Sequence, residues 1–380
     1  MTGTCGVSPR VLIADDQADL IDALKLMLKA EGIYIDAVTS PDATLAAVAT
    51  RSYDLLLMDL NYTGDTTSGR EGIDLLSRVR AIDSLLPVIV MTGWGSVDLA
   101  VEAMRRGVRD FVQKPWDNQQ LITTLRAEIE MGRVRRLQIE HEQREFEEAR
   151  RIQRKLLPAS MPHVEGLEIA AAWQPASGVG GDCYDALAFG TTKLAVSVAD
   201  VVGKGIPAAL LMSNLQAAVR AFGTEAAQPA ELCQQVNRVL CGHIAEGRFI
   251  SFCYCVIDME LGTATYCNAG HYPPILVRAE GAVERLSSGG AVLGVFADGT
   301  YEQAHTTLRS GDRVVLYTDG ITDSCNGADE EFGEERLVAL AVENRFCSAP
   351  ALQARLGAAV ASFTGGQFQD DATLIVVAVD

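Results

Sequence analysis

The stretch GVGGDCYDALAFGTTKLAVSVADVVGKG, Gly178 to Gly205, decides how the larger part of this chain folds. It holds two aspartates, Asp182 and Asp200, each set in a glycine-rich turn. Between them LAVSVAD alternates as a half-buried strand does, which puts Asp200 at the strand's end. The glycines beside both aspartates let the backbone come close to a ligand. Ile206-Pro207-Ala208 then opens an apolar helix with proline in its first turn. Two carboxylates thus converge on a bare backbone pocket, which suits a hard divalent cation that takes oxygen ligands. Aspartate beside glycine is also ordinary turn chemistry, so the pair alone does not decide the matter.

Further acidic strand ends lie downstream. DRVVLYTDGITDS carries an apolar strand into Asp319-Gly320, and QFQDDATLIVVAVD carries Asp370-Asp371 into the C-terminal strand. Carboxylates recurring in this way can hold two metal ions about 3.5–4 Å apart and activate a water for in-line attack on a phosphate ester.

The motifs GGDCYD, DVVGKGIPAALLM, CNAGHYPP, YTDGITDS, FGEERL and QDDATLIVV follow one another in this order. With them the region from Glu145 to Asp380 resembles the PPM-type serine/threonine phosphatases, in their bacterial SpoIIE-like branch. The resemblance implies an α/β/β/α sandwich, two antiparallel sheets flanked by helices. It also implies a site in which Asp200 bridges two Mn²⁺ or Mg²⁺ ions and Val201 lends its backbone carbonyl. Asp182 completes the second metal, and Asp319 and Asp370 hold the first; Asp371 is the alternative to Asp370. Asp185, Lys204 and His271 match motif positions too, with catalytic and structural roles both open.

With 380 residues and 48% hydrophobic content the chain can build two cores. Its formal net charge of −18 disfavours nucleic acid and anionic membrane, which call for basic patches. Nine cysteines with no CxxC pair read as thiols of a reducing compartment, and Cys253-x-Cys255 as two same-face positions of a buried strand. The N-terminus shows no targeting pattern and no apolar run reaches about 18 residues, so the expectation is a cytoplasmic protein. Five histidines without HxxxH spacing argue against an imidazole zinc site.

The N-terminal third alternates VLIADD, IYIDAV, YDLLLMDL, LPVIVMTG and RDFVQKP with amphipathic helices at DLIDALKLMLKAEG, DATLAAVATR, GIDLLSRVRA and VDLAVEAMRRG, before a long final helix. Such a βα repeat implies a doubly wound, five-stranded parallel sheet with ligands beyond the carboxyl ends of its strands. Asp15, Asp16, Asp59, Thr92 and Lys114 fall at such ends. Three carboxylates there would repel one another unless a divalent cation or a lysine neutralised them. Over residues 10–121 the chain resembles the response-regulator receiver domains of two-component signalling. By that resemblance Asp59 is the phosphoacceptor. Asp15 and Asp16 hold Mg²⁺ together with Asp59 and the carbonyl of Asn61. Thr92 and Phe111 form the switch pair, and Lys114 contacts the phosphoryl group. One departure is the loop NYTGDTTSGREG after Asp59, longer than the usual turn and lacking its proline, which bears on how phosphodonors and a kinase reach Asp59.

Residues 117–160 form a helical linker between the receiver and a phosphatase domain at 161–380. Glu, Arg, Gln and Leu dominate it, and no proline interrupts it until Pro158. Ile139, Phe146, Ala149 and Leu156 fall near a three-four repeat that Glu142 and Gln153 break, so the segment is read as a weak, dimerising coiled coil, with a solvated spacer helix as the alternative. EEARRIQRKLLP is, by the resemblance, the segment that controls SpoIIE-like domains. Gly132 stands inside a strong helix-forming run, where glycine costs about 1 kcal/mol relative to alanine. It is expected to be a bending point that Gly132→Ala would stiffen.

In the remaining chain, strands are expected at LEIAAAW, LAVSVAD, SFCYCVID, ATYCNAG, PILVRA, RVVLYTD and TLIVVAVD. Helices are expected at 207–222, 229–245, 334–344 and 350–363. Taken together the sequence reads as a response regulator whose output is a metal-dependent protein serine/threonine phosphatase. Its expected partners are a sensor histidine kinase or phosphotransfer protein, a phosphoprotein substrate of the anti-sigma-factor antagonist class implied by the family, and a second copy of the chain through receiver and linker helix. The rival reading is a non-catalytic adaptor; a DNA-binding regulator finds no basic recognition helix.

Overall fold

The computed structural model describes residues 8–62, 70–93, 102–244 and 247–380. They divide into two compact units, Met1–Arg144 and Glu145–Asp380.

In the first unit the strands are β1 (Arg10–Ala14), β2 (Tyr34–Val38), β3 (Leu55–Asp59), β4 (Val88–Thr92) and β5 (Asp110–Gln113). They pair in the order β2-β1-β3-β4-β5, all parallel. Residues of β3 and β4 are buried throughout, because helices cover both faces of a parallel sheet; this is why LLLM and VIVM need no alternation. One face buries Val11, Ile13, Leu55 and Leu57 against Leu24 and Leu28 of α1 (Ala18–Ala30). The other buries Leu12, Leu56 and Val90 against Leu45 of α2 (Pro41–Thr50) and Leu76 of α3 (Arg70–Ile82). The Ser40 hydroxyl caps α2 by accepting from Ala43 N–H at 3.3 Å. The chain winds away in opposite directions from β1 and β3, so their carboxyl ends form the crevice in which Asp15, Asp16 and Asp59 gather. The expected helix at 97–107 lies partly outside the described residues, with 102–105 helical. Most of the long loop after Asp59, residues 63–69, lies outside them as well.

The long helix α4 (Asn118–Leu156) contributes its first turns to this unit, burying Leu121, Leu125 and Ile129. Two ion pairs continue the contact, Arg133 Nε to Asp54 Oδ1 at 2.7 Å and Arg136 Nη2 to Asp83 Oδ2 at 3.0 Å. Gly132 has a packing reason that the sequence did not disclose. A Cβ built there would stand 2.4 Å from Pro87 Cγ, so only glycine lets the helix lie against the start of β4. The helix runs unbroken through this position.

The second unit is a sandwich. One sheet carries β7 (Cys183–Phe189), β8 (Lys193–Val201), β9 (Ile250–Asp258), β10 (Thr263–Ala269), the two-residue β13 (Gly289–Gly290) and β14 (Ala304–Thr307). The other orders β12 (Val283–Arg285), β11 (Ile275–Val277), β15 (Arg313–Tyr317), β16 (Ala372–Val379) and β6 (Leu167–Gln174). All pairings are antiparallel except β10 with β13. Helices α5 (Ile206–Phe222) and α6 (Pro229–Cys241) pack on the first sheet, and α8 (Glu334–Glu343) and α9 (Ala349–Phe363) on the second, with a single turn α7 (Asp319–Thr322) between. Val196, Val198 and Cys253 of one sheet share a core with Val314, Leu316 and Ile375 of the other. Strand β7 is not among the strands expected from sequence, because buried Asp185 breaks its apolar alternation. Helix α6 ends at Cys241, short of 245, where Gly242 takes the C-cap. Among the described residues no helix is long and apolar enough to cross a membrane.

The Gly132 contact reverses the sign of a substitution. Alanine gains about 1 kcal/mol in helix propensity, but overpacking costs about 1–3 kcal/mol and the Pro87 ring has no rotamer to retreat into. We expect Gly132→Ala to lower the thermal midpoint of the receiver by a few degrees. A midpoint that rises in a melt of the full chain would show that Pro87 yields.

Candidate active site and receiver site

Register brings the phosphatase aspartates together. In the β7–β8 hairpin Cys183 pairs with Ala199, which sets Asp182 across from Asp200. In the facing sheet Tyr317 pairs with Leu374, which brings Asp319 beside Asp370 and Asp371. Asp182 joins the two sheets. It is fully buried, and its Oδ2 accepts from the Thr318 hydroxyl at 2.7 Å and the Thr373 hydroxyl at 2.6 Å. Its Oδ1 is buried with no partner. Burial, then the charge of Asp200, holds the Asp182 carboxyl well above the usual carboxylate range. An unsatisfied buried oxygen costs about 1–3 kcal/mol, more if charged, and a divalent cation is a chemical fit to it.

Asp200 is pushed up to about 7 by burial and then by the charges of Asp319, Asp370 and Asp371. Asp319 is raised by burial and then by Asp370. Carboxylates that raise one another in this way form a site short of positive charge. The backbone is cleared on the same side: a Cβ on Gly181 would stand 2.7 Å from the carbonyl oxygen of Val201, the carbonyl assigned to a metal by resemblance.

Asp370 and Asp371 have different surroundings. Both oxygens of Asp371 are engaged, Oδ1 by Ala176 N–H at 2.8 Å and Oδ2 by Gly181 N–H at 2.6 Å. A Cβ on Gly180 would fall 2.3 Å from that carboxylate, so Asp371 clamps the glycine loop to the C-terminal strand. Asp370 is half-exposed; its Oδ2 pairs with Lys204 Nζ at 3.0 Å and its Oδ1 accepts from Asp371 N–H at 2.9 Å. Lys204 also donates to the carbonyl of Gln369 at 2.8 Å.

The remaining motif residues are held by partners away from the acidic cluster's open side chains. Asp185 forms a two-point ion pair with Arg220, at 2.7 and 3.2 Å. His271 is buried; its Nε2 lies 3.0 Å from the Tyr317 carbonyl, which can only accept, so Nδ1 accepts from Ser251 Oγ at 2.7 Å. Gln153, which looks in sequence like a break in a coiled-coil seam, is buried in the second unit. Its amide pairs with Gly180 in both directions, donating to the carbonyl at 2.5 Å and accepting from N–H at 3.0 Å. Gly180 stands two residues before Asp182, so the end of α4 reaches the site loop through this amide. Phe146, expected in the seam, lies against Gly178 instead: its Cε1 would be 3.0 Å from a Cβ there.

In the receiver, Lys114 Nζ donates to Asp15 Oδ2 and to Asp59 Oδ2, each at 2.8 Å. Burial opposes its charge, but the bonds from both carboxylates outweigh that and hold its pKa above the ordinary lysine value. Asp15, Asp16 and Asp59 each offer an oxygen within 4.8 Å of the others; the phosphatase aspartates spread more widely. The Asn61 side-chain oxygen is buried and unpaired, a further sign of a site that fits a cation. Thr92 is buried at the end of β4, while Phe111 is 49% exposed.

The geometry defines a receiver domain joined to a phosphatase domain of the metal-dependent PPM type. The family model "Stage II sporulation protein E (SpoIIE)" matches residues 190–380, and "Response regulator receiver domain" matches residues 11–126. The chain belongs to the SpoIIE family and carries a receiver. It is 31% identical over 234 residues to phosphoserine phosphatase RsbU of Bacillus subtilis, covering 61% of this chain and 69% of that protein. It is 29% identical over 286 residues to protein IcfG of Synechocystis, covering 68% of this chain and only 44% of IcfG's length. The solved SiaA-PP2C domain of Pseudomonas aeruginosa superposes with a TM-score of 0.57 at 21% identity, over 63% of this chain and 98% of that one, a likeness of fold.

The buried histidine gives a pH signature. Burial lowers the His271 pKa from 6.5 to about 4, so the unfolded chain binds its proton first. The stability this group contributes is complete above pH 6.5 and is lost as pH falls toward 4. The raised carboxyls of the same unit gain stability as pH falls and so oppose this loss. We therefore expect the thermal midpoint of His271→Gln to fall less, or rise more, than that of the wild type between pH 6.5 and 4. Parallel curves for the two proteins would remove His271 from the acid response.

Proposed function

We propose that the chain is a response regulator whose phosphatase domain hydrolyses phosphoserine or phosphothreonine in a protein, under the control of phosphorylation at Asp59. The observation that carries this is Asp182: one oxygen is held by two threonine hydroxyls, and the other is free and buried beside Asp200. On this reading Asp182, Asp200, the Val201 carbonyl, Asp319 and Asp370 hold two Mn²⁺ or Mg²⁺ ions, and Asp371 positions the loop. Such ions, when bound, polarise the phosphate ester and activate the attacking water. The protein's own contribution is orientation. Thr318 and Thr373 fix the Asp182 carboxylate, Asp371 and Gln153 fix the glycine loop, and Gly181 keeps the Val201 carbonyl clear.

In the receiver, Asp59 takes the phosphoryl group from a sensor histidine kinase or phosphotransfer protein. Asp15, Asp16 and Asn61 serve a Mg²⁺ ion, Lys114 contacts the phosphoryl group, and Thr92 with Phe111 relays the change. We divide the chain into a receiver at 10–121, a helical linker at 117–160 and a phosphatase domain at 161–380. We place it in the cytoplasm as a homodimer through receiver and linker. The exposed stripe Met131, Val134 and Leu137 on α4 supports that pairing, and free thiols at all eight cysteines among the described residues support that compartment. The substrate class we favour is a phosphorylated anti-sigma-factor antagonist, by family.

Release of phosphate from a phosphoserine peptide by the full chain tests this. We expect activity with Mn²⁺, none in EDTA, and a loss of more than about 100-fold in Asp200→Asn, beyond what losing an outer partner costs a metal site. A phosphodonor for the receiver should change the rate, and Asp59→Ala should abolish that change. Equal rates in EDTA and Mn²⁺ would contradict the metal reading.

A further inference from the structure

Beside the aspartates the surface is apolar. The β8–β9 register pairs Asp200 with Ser251 and Val201 with Ile250. The next step of that edge is made by Val202 N–H, which donates to the carbonyl of Phe249 at 3.1 Å. Ile250 in turn exchanges both backbone hydrogen bonds with Leu293, at 3.0 and 2.8 Å. Three backbone segments therefore lie side by side at the strand end that bears Asp200.

Each segment leads into exposed apolar side chains. Ile206 and Leu210 follow Val202 on successive turns of α5, with Leu210 66% exposed. Phe249 is itself exposed, and Val295 and Phe296 follow Leu293, with Phe296 61% exposed. The Phe296 turn is held in place, since its carbonyl accepts from Asn237 Nδ2 at 2.8 Å and Gly294 N–H donates to Asn237 Oδ1 at 2.8 Å. Large apolar side chains gathered on ordered backbone at the rim of a site mark a binding surface. Arg248 lies next to Phe249, half-buried, and among the described residues its side chain has no ion pair or hydrogen bond. In a chain of net charge −18, an unpaired guanidinium beside an apolar rim favours an anionic occupant.

We propose that Ile206, Leu210, Phe249, Val295 and Phe296, with Arg248, dock the polypeptide of the phosphoprotein substrate. They select apolar residues next to the phosphorylated side chain, and Arg248 meets the phosphate. The occupant follows from continuity: Gly203-Lys204-Gly205 joins the Asp200 strand end directly to Ile206, so a chain that presents its phosphate to Asp200 lies across these side chains. This inference rests on the phosphatase reading above and adds a substrate class to it.

The test uses the full chain with Mn²⁺ and three probes: p-nitrophenyl phosphate, a phosphoserine peptide flanked by Leu and Ile, and one flanked by Ser and Asp. We expect the apolar peptide to be favoured in kcat/KM at least about tenfold, the discrimination a methylene or two of apolar contact can give. In the double variant Leu210→Ser/Phe296→Ser that preference should collapse, with p-nitrophenyl phosphate turned over at the wild-type rate. Arg248→Gln should raise KM for both peptides. Hydrolysis with no preference, or a preference that survives the double variant, overturns the docking surface alone. No hydrolysis of any probe overturns the phosphatase reading and this one with it. If the double variant instead turns a dimer into a monomer in sedimentation and keeps the preference, the patch belongs to a second copy and the proposal fails.

Discussion

The second unit depends on a carboxylate buried between two sheets. Asp182 leaves the glycine loop before β7 and takes hydroxyl bonds from Thr318, just after β15, and from Thr373 on β16 of the opposite sheet. Hydrogen bonds to a carboxylate are worth about 1.5–3 kcal/mol each, yet the unpaired Oδ1 and the neighbouring acids work against them. The sandwich is thus locked at this end by a group that also strains it. The rest of the site follows from this. Asp371 must pin the loop so that Asp182 stays in place, and glycine must stand at 180 and 181 because a side chain there would strike Asp371 or the Val201 carbonyl.

The two acidic sites meet the same electrostatic difficulty in different ways. In the receiver, Lys114 reaches both Asp15 and Asp59 and supplies an internal counter-charge. In the phosphatase set Lys204 forms an ion pair with Asp370, at the exposed rim. Burial and mutual repulsion therefore raise Asp182, Asp200 and Asp319, which gives this site the stronger demand for divalent cations.

Much of this was legible in the sequence. The parallel sheet follows from buried apolar runs, and the acidic strand ends at Asp15, Asp59, Asp200 and Asp319 follow from where those runs stop. What was hidden has physical causes. Strand β7 was obscured because Asp185 sits inside the core, neutralised by Arg220 some 35 positions away in the sequence. Gly132 looked like a flexible point because its reason is the ring of Pro87, a contact made only in the folded receiver. Gln153 looked like a fault in a seam because its partner is the backbone of Gly180. In each case the deciding partner is distant along the chain, and local pattern carries no trace of it.

The central claim, that the phosphatase aspartates are short of charge until divalent cations arrive, is tested most directly by calorimetric titration of Mn²⁺ into the full chain near pH 7. Repeating it in two buffers of different ionisation enthalpy separates proton release from metal binding. With Asp200 held at about 7 and Asp182 well above the carboxylate range, we expect binding with net release of protons, and a marked loss of both in Asp200→Asn. Mn²⁺ binding that releases no protons, or that is the same in wild type and Asp200→Asn, would contradict it.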